Sequence, residues 1–254
     1  MITLDAIRKT YRSGATSHAA IGNVSLTIGD GEFVSIVGPS GCGKSTLLNL
    51  IAGFIAPSAG EIRVKDQLVL PGHVPSRLGY LFQKDVVLPW LTVEQNVGLG
   101  LRFAHMPAAQ IREKVSGLLK LANLRGYENY FPYQLSGGMR QRTALLMTLA
   151  CDPRVLLLDE PFGALDALTR EELSLELSRL WQELGRTALL ITHDIEEAIL
   201  LGDRVLIMSE RPGTIRADIA VDLPRPRNAE TVRLPRFQEI KNQVRDIIFN
   251  RAQA

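Results

Sequence analysis

The chain has 254 residues, 46% of them hydrophobic, and a net charge of +2. That length can bury a substantial core, as one large α/β domain or two smaller ones, and so mild a charge demands neither nucleic acid nor an anionic membrane surface as partner. The apolar runs 155–158 and 188–191 fall far short of the roughly 18 residues that span a bilayer, the start Met1-Ile2-Thr3-Leu4-Asp5 lacks a basic stretch before an apolar one, and Cys42 and Cys151 show no paired spacing; the expectation is a reduced, cytoplasmic compartment without signal peptide, disulfide or zinc site.

The first thirty residues alternate polar and apolar, notably Val24-Ser25-Leu26-Thr27-Ile28, and end in the turn Gly29-Asp30-Gly31, which predicts an edge-type β region. Tyr11 belongs to no obvious apolar face here, so it either stacks on a nucleotide base or packs in a core. Phe33 to Val37 reads as a buried strand and 46–52 as a helix closed by Gly53. Between them, Gly38-Pro39-Ser40-Gly41-Cys42-Gly43-Lys44-Ser45-Thr46 fits the phosphate-loop pattern G-x-x-x-x-G-K-[ST]. Glycines let successive N–H groups converge on a phosphate, the helix adds its positive end, and Lys44 reaches the outer phosphates. Ser45 is then free to ligate Mg²⁺.

Strands are expected at 61–64, 68–72 and 78–82, with turns between them. After Gln83 a mainly helical block interrupts the β-rich part, with a helix over 107–121 and another over 140–150, the latter directly behind Gly137 and Gly138. The sheet resumes at Val155-Leu156-Leu157-Leu158, an apolar strand of the kind covered on both faces, closed by Asp159-Glu160. Then follow a helix over 169–184, a strand Thr187–Ile191, a helix capped by Asp194, a last confident strand Arg204–Met208, and a tail with a helix over 237–249.

Phosphoryl transfer requires a phosphate cradle, a metal, a positioned water and positive dipoles around the developing charge. Asp159, at the carboxyl end of an apolar strand, is suited to hold Mg²⁺ directly or through water, and Glu160 beside it to orient or deprotonate the attacking water. His193 follows what could be a neighbouring strand and is placed to contact the γ-phosphate.

Leu135-Ser136-Gly137-Gly138-Met139 makes the resemblance specific, because it is similar to the signature sequence of ABC transporter nucleotide-binding subunits, a family whose other motifs occur around it in order. The resemblance spans about 1–219 and implies a P-loop NTPase of ABC type: a RecA-like α/β core, an N-terminal antiparallel β region and a helical subdomain inserted at about 86–150, the domain ending near 225 and a tail occupying 226–254. Tyr11 matches the aromatic that stacks on adenine, Gln83 the glutamine between the two subdomains, Asp159 and Glu160 the acidic pair, Ala164-Leu165-Asp166 the D-loop, and His193 the switch histidine. The implied catalytic set is Lys44, Gln83, Glu160 and His193, and the implied metal set Ser45, Gln83 and Asp159. ATP is implied to bind along 38–46, Tyr11, Ser136, Gly137, Gly138 and Asp166. A signature at a helix N-terminus makes physical sense as an anion clamp; in the family it faces the ATP of a partner subunit, so a head-to-tail pair is implied.

Met139 stands where the signature most often has glutamine, and Met147 where many relatives have arginine. Leu88-Pro89-Trp90-Leu91-Thr92-Val93, Ser209-Glu210-Arg211-Pro212-Gly213-Thr214-Ile215 and the surroundings of Trp181 and His193 resemble the nitrate, sulfonate and taurine importer group. That resemblance implies a separate membrane permease, indirectly an extracytoplasmic solute-binding protein, and a peripheral position on the cytoplasmic face of the membrane. Two other classes are weighed against it. An ABC ATPase acting on nucleic acid or ribosomes would usually carry two cassettes or a long coiled coil, and neither is visible, so no nucleic acid is expected. A non-hydrolysing nucleotide-dependent module would be expected to lack Glu160 or His193.

Overall fold

The computed structural model describes residues 1–14, 16–84, 86–163 and 165–249. The chain opens with two long strands, β1 (Ile2–Ser13) and β2 (Thr16–Ile28), paired antiparallel with Ile2 opposite Ile28 and Tyr11 opposite His18. Period-two alternation sets their faces: Val24, Leu26 and Ile28 are buried, Ser25 and Thr27 exposed. β3 (Phe33–Val37) is buried throughout and leads through the glycine loop into α1 (Lys44–Ile51). β4 (Ala59–Val64) and the two-residue β5 (Gln67–Leu68) complete an antiparallel sheet of order β2-β1-β4-β5.

After β6 (Leu78–Leu81) come the helices of the inserted block, α2 (Val93–Val97), α3 (Leu99–Phe103), α4 (Ala108–Leu121) and α5 (Gly137–Ala150). The core then resumes as β7 (Val155–Asp159), α6 (Ala167–Leu184), β8 (Thr187–Ile191), α7 (Ile195–Leu201), β9 (Arg204–Met208), β10 (Ile215–Ala220) and α8 (Pro235–Phe249). The second sheet runs β10-β9-β3-β8-β7-β6, with parallel neighbours except at β10, which returns antiparallel along β9.

β7 and β8 are buried at every position because both faces are covered. On one face Leu156 and Leu158 join Val93, Val97 and Leu145 of the helical block and Leu177 and Trp181 of α6. On the other, Leu157, Leu189 and Ile191 meet Leu47, Leu48 and Ile51 of α1 and Ile2, Leu4 and Ile28 of the antiparallel sheet. The glycine loop is thereby fixed at the carboxyl edge of the parallel strands, where ligands bind in such sheets.

Several boundaries differ from expectation for local reasons. α1 begins at Lys44, two residues early, so Lys44 and Ser45 sit in its first turn. Val69 and Leu70 lie outside β5; the chain turns at Pro71, which has no N–H for a ladder, and Gly72 N bonds Gly53 O at 2.8 Å. α5 begins at Gly137, capped by Ser136, whose Oγ accepts from Met139 N at 3.3 Å, so both glycines lie within its first turn and not ahead of it. The unexpected β10 is an edge strand with mostly half-exposed or exposed positions. Beyond it the tail packs back: Phe237, Ile240 and Val244 of α8 share a cluster with Val205 and Ile207 of β9 and Ile219 of β10. Arg227, 2% exposed, donates to the carbonyls of Ile199, Leu200, Gly202, Val221 and Leu223.

Candidate functional site

The loop between β3 and α1 holds its shape through backbone that few residues adopt. Gly43 has φ 108° and a Cβ there would stand 2.7 Å from Ala20 O, so only glycine lets the loop pass this close to β2. Lys44, 6% exposed, folds its ammonium over the loop and donates to Gly38 O at 2.8 Å and Pro39 O at 2.9 Å. Ser40, Gly41, Gly43, Ser45 and Thr46 line a cavity of about 360 Å³. The Cys42 side chain is 1% exposed and packs in the core instead.

Strand register brings the acidic, amide and imidazole groups together. Leu81 of β6 pairs with Leu158 of β7, and Asp159 with Ile191 of β8. Gln83, Glu160 and His193 follow these three adjacent strand ends. Glu160 Oε2 accepts from Gln83 Nε2 at 3.2 Å and lies 3.3 Å from His193 Nδ1. Glu160 is itself at φ 45°, in the left-handed region that non-glycine residues rarely occupy. That turn separates its carboxylate from that of Asp159, its neighbour in sequence. Gln83 and Glu160 line the cavity, as does Tyr11, which is 43% exposed with the Lys9 ammonium 5.1 Å from its ring centroid. Exposure decides against core packing for Tyr11.

Asp159 accepts from Ser45 Oγ at 3.0 Å and from the Tyr80 hydroxyl at 3.3 Å. Burial raises its carboxyl above the usual carboxylate range, against the lowering effect of those two hydrogen bonds. Burial likewise raises the Tyr80 phenol, with the Asp159 charge adding to it. Among the described residues no cluster of three or more His, Cys, Asp or Glu fits a metal ion. Ser45 and Asp159 instead form a small hard-oxygen donor set beside a phosphate-shaped loop, which fits Mg²⁺, an ion bound by one or two protein oxygens with phosphates and water.

Ser136, Gly137, Gly138 and Asp166 do not line this cavity. The signature glycines lie instead against residues that flank Asp166: a Cβ on Gly138 would lie 2.9 Å from Thr169 Cγ2 and one on Gly137 3.4 Å from Leu165 Cδ2. Asp166 caps α6, accepting from Thr169 N at 3.1 Å, and this bond holds its carboxyl below the usual range. Ala164 of the expected D-loop lies outside the described residues.

Sequence reasoning missed three participants. Tyr80 is an ordinary strand residue until the fold places it on Asp159. Arg211 sits in a turn yet lines the cavity. Arg170 donates to Phe162 O at 3.3 Å, Leu165 O at 2.9 Å and Asp194 Oδ2 at 3.0 Å, bridging the segment after Glu160 to the segment after His193. No short spacing signals such contacts between distant segments.

Comparison with known proteins agrees with this geometry. The family model described as ABC transporter matches residues 21–163. A protein of Brucella abortus (strain 2308) named only as ATP-binding is 47% identical over 232 residues, 91% of this chain and 88% of that one. The taurine import ATP-binding protein TauB of Yersinia pestis bv. Antiqua (strain Antiqua) is 50% identical over 196 residues, 77% of this chain and 76% of that one. Among solved structures, the dimeric post-hydrolysis state of the ATP-binding cassette MJ0796 with ADP and Pi superimposes with a TM-score of 0.77 at 35% identity, covering 88% of this chain and all of that chain. With that family model spanning more than half of the chain and relatives at 47% and 50% identity, the chain belongs to the ABC transporter family as an ATP-binding subunit.

Proposed function

We propose that this chain is the ATP-hydrolysing subunit of an importer for a small anionic or zwitterionic solute of the nitrate, sulfonate or taurine kind. It works as a head-to-tail pair at the cytoplasmic face of the membrane, on a separate permease that an extracytoplasmic solute-binding protein supplies. The observation that carries the reading is that Glu160, on the wall of the cavity that also holds Lys44, Tyr11 and Gln83, contacts both Gln83 and His193, the latter outside that lining. Tyr11 stacks on the adenine, and the loop amides and Lys44 hold the phosphates. Ser45 and Asp159 would hold Mg²⁺, which neutralises charge on the phosphate oxygens, with Gln83 nearby. Glu160 orients the attacking water and accepts its proton, while Gln83 and His193 fix the carboxylate in place.

Among the described residues no helix is long and apolar enough to cross a membrane, so the solute path belongs to the permease. The docking surface is assigned to 83–93 and the helices behind it. Trp90 there is 69% exposed, which is costly for so large an apolar group in water. Asn96, fully buried, braces this loop by donating to Leu88 O, Leu91 O and Thr92 O and accepting from Leu88 N. In the assembled transporter, cysteines placed at Leu88 or Leu91 should cross-link to a multi-span membrane protein that co-purifies with the chain. Cross-linking only from the tail beyond Pro235 would overturn the docking assignment.

A further inference from the structure

One cation on the cavity wall lies in the 209–215 stretch that resembles the importer group, and no role is assigned to it above. Arg211 sits in the turn between β9 and β10, and that turn is clamped against the nucleotide site from two sides. Gly213 N donates to Ala20 O at 3.0 Å and Gly22 N to Gly213 O at 2.8 Å, tying the turn to β2. On its other side the turn rests on the phosphate loop so closely that a Cβ on Gly213 would meet Cys42 O at 2.1 Å. Ser209 Oγ accepts from Thr214 N at 3.0 Å and closes the turn. The backbone beneath Arg211 is therefore fixed while its side chain is exposed.

The guanidinium spends one N–H, donating from Nε to Gly41 O at 2.5 Å. Among the described residues no carboxylate pairs with it, and Glu160 is the one acidic side chain on a wall that carries both Lys44 and Arg211. A peptide carbonyl is a neutral acceptor; a phosphate oxygen is charged and accepts the guanidinium fork in parallel bonds. We propose that Arg211 binds the phosphate chain of the nucleotide, turning its unspent N–H groups from the Gly41 edge of the loop to nonbridging oxygens. This rests on the reading of the cavity as the ATP site.

The test is equilibrium binding of ATP, ADP and adenosine to the intact protein, with Arg211→Ala and Arg211→Gln beside the wild type and melting temperatures recorded for each. The glutamine variant retains a neutral donor for Gly41 O and loses the charge. Both variants should weaken ATP and ADP by about 10-fold, the scale of a charge-assisted hydrogen bond, and leave adenosine unchanged. Raising salt should narrow the gap between variant and wild type. Wild-type affinity for ATP in both variants, recovery by glutamine alone, or an equal loss for adenosine would overturn the role in phosphate binding and leave Arg211 a brace of the loop. If the wild type binds no ATP, the site reading itself fails, a separate outcome.

Discussion

Arg170 Nη1 donates to Asp194 Oδ2 at 3.0 Å while the same guanidinium holds Leu165 O at 2.9 Å, so one side chain ties the loop after Glu160 to the cap of α7. Arg170→Lys keeps the charge but not the fork and cannot span three acceptors. Arg170→Ala and Arg170→Lys should each lower kcat about 10-fold or more, as misplacement around a reacting group does, with ATP affinity nearly unchanged because the residue touches neither cradle nor base site. Steady-state hydrolysis together with nucleotide titration checks this; an equal loss in affinity would place the defect in the phosphate loop.

Glu197 is buried beneath that cap, and burial pushes its carboxyl up to about 7, with the nearby Asp194 charge adding to the rise while a hydrogen bond from the Thr192 hydroxyl opposes it. A carboxyl raised in the folded state binds more protons folded than unfolded between its ordinary pKa and about 7, so its effect on stability becomes less favourable as pH rises through that window and is flat above it. Glu197→Gln removes the titration. The stability of this variant relative to wild type should therefore grow from pH 5 to pH 8, by up to ~3 kcal/mol. Urea unfolding at several pH values checks this, and a difference that stays flat with pH would contradict it.

The placement of Ser136, Gly137 and Gly138 away from the cavity leads to a prediction about pairing. Lys44→Ala and Ser136→Arg should each be inactive alone, since every site then carries a defect. Mixed in one transporter, both defects fall in one site and the other is intact. Random pairing gives mixed pairs half the time with one good site of two, so hydrolysis should return to roughly a quarter of wild type. A single-round assay on differently tagged, mixed dimers guards against cooperativity between sites. No product in that assay would mean that each chain completes its own site.

Much of this arrangement is legible in the sequence where one local constraint dominates. The spacing from Gly38 to Ser45 fixes a loop between strand and helix, and the apolar run ending in Asp159 marks a doubly covered strand with its acid at the ligand edge. Legibility fails where tertiary contacts override local preference. Gly137 and Gly138 are poor helix formers, yet α5 begins with them because Ser136 caps it there, and at Gly138 Thr169 leaves little room for a Cβ. β10 alternates Ile215, Ala217 and Ile219 with the exposed Arg216 and Asp218, but only Ile219 is buried at this edge, so the strand pattern is weak. Arg227 reads as a surface residue and is instead buried among carbonyls, because distant segments must meet before its acceptors exist. The contacts made by Tyr80, Arg170 and Arg211 are of this kind as well.

Glu160, held by Gln83 and His193, is proposed to activate the water that cleaves ATP. The most direct measurement is Glu160→Gln assayed for MgATP binding and for single-turnover hydrolysis in the same preparation. Phosphate cradle and base site are untouched, so ATP should bind with near wild-type affinity while the cleavage rate falls by about 100-fold or more, the scale of general-base catalysis. Hydrolysis at a near-normal rate by this variant would show that Glu160 does not activate the water.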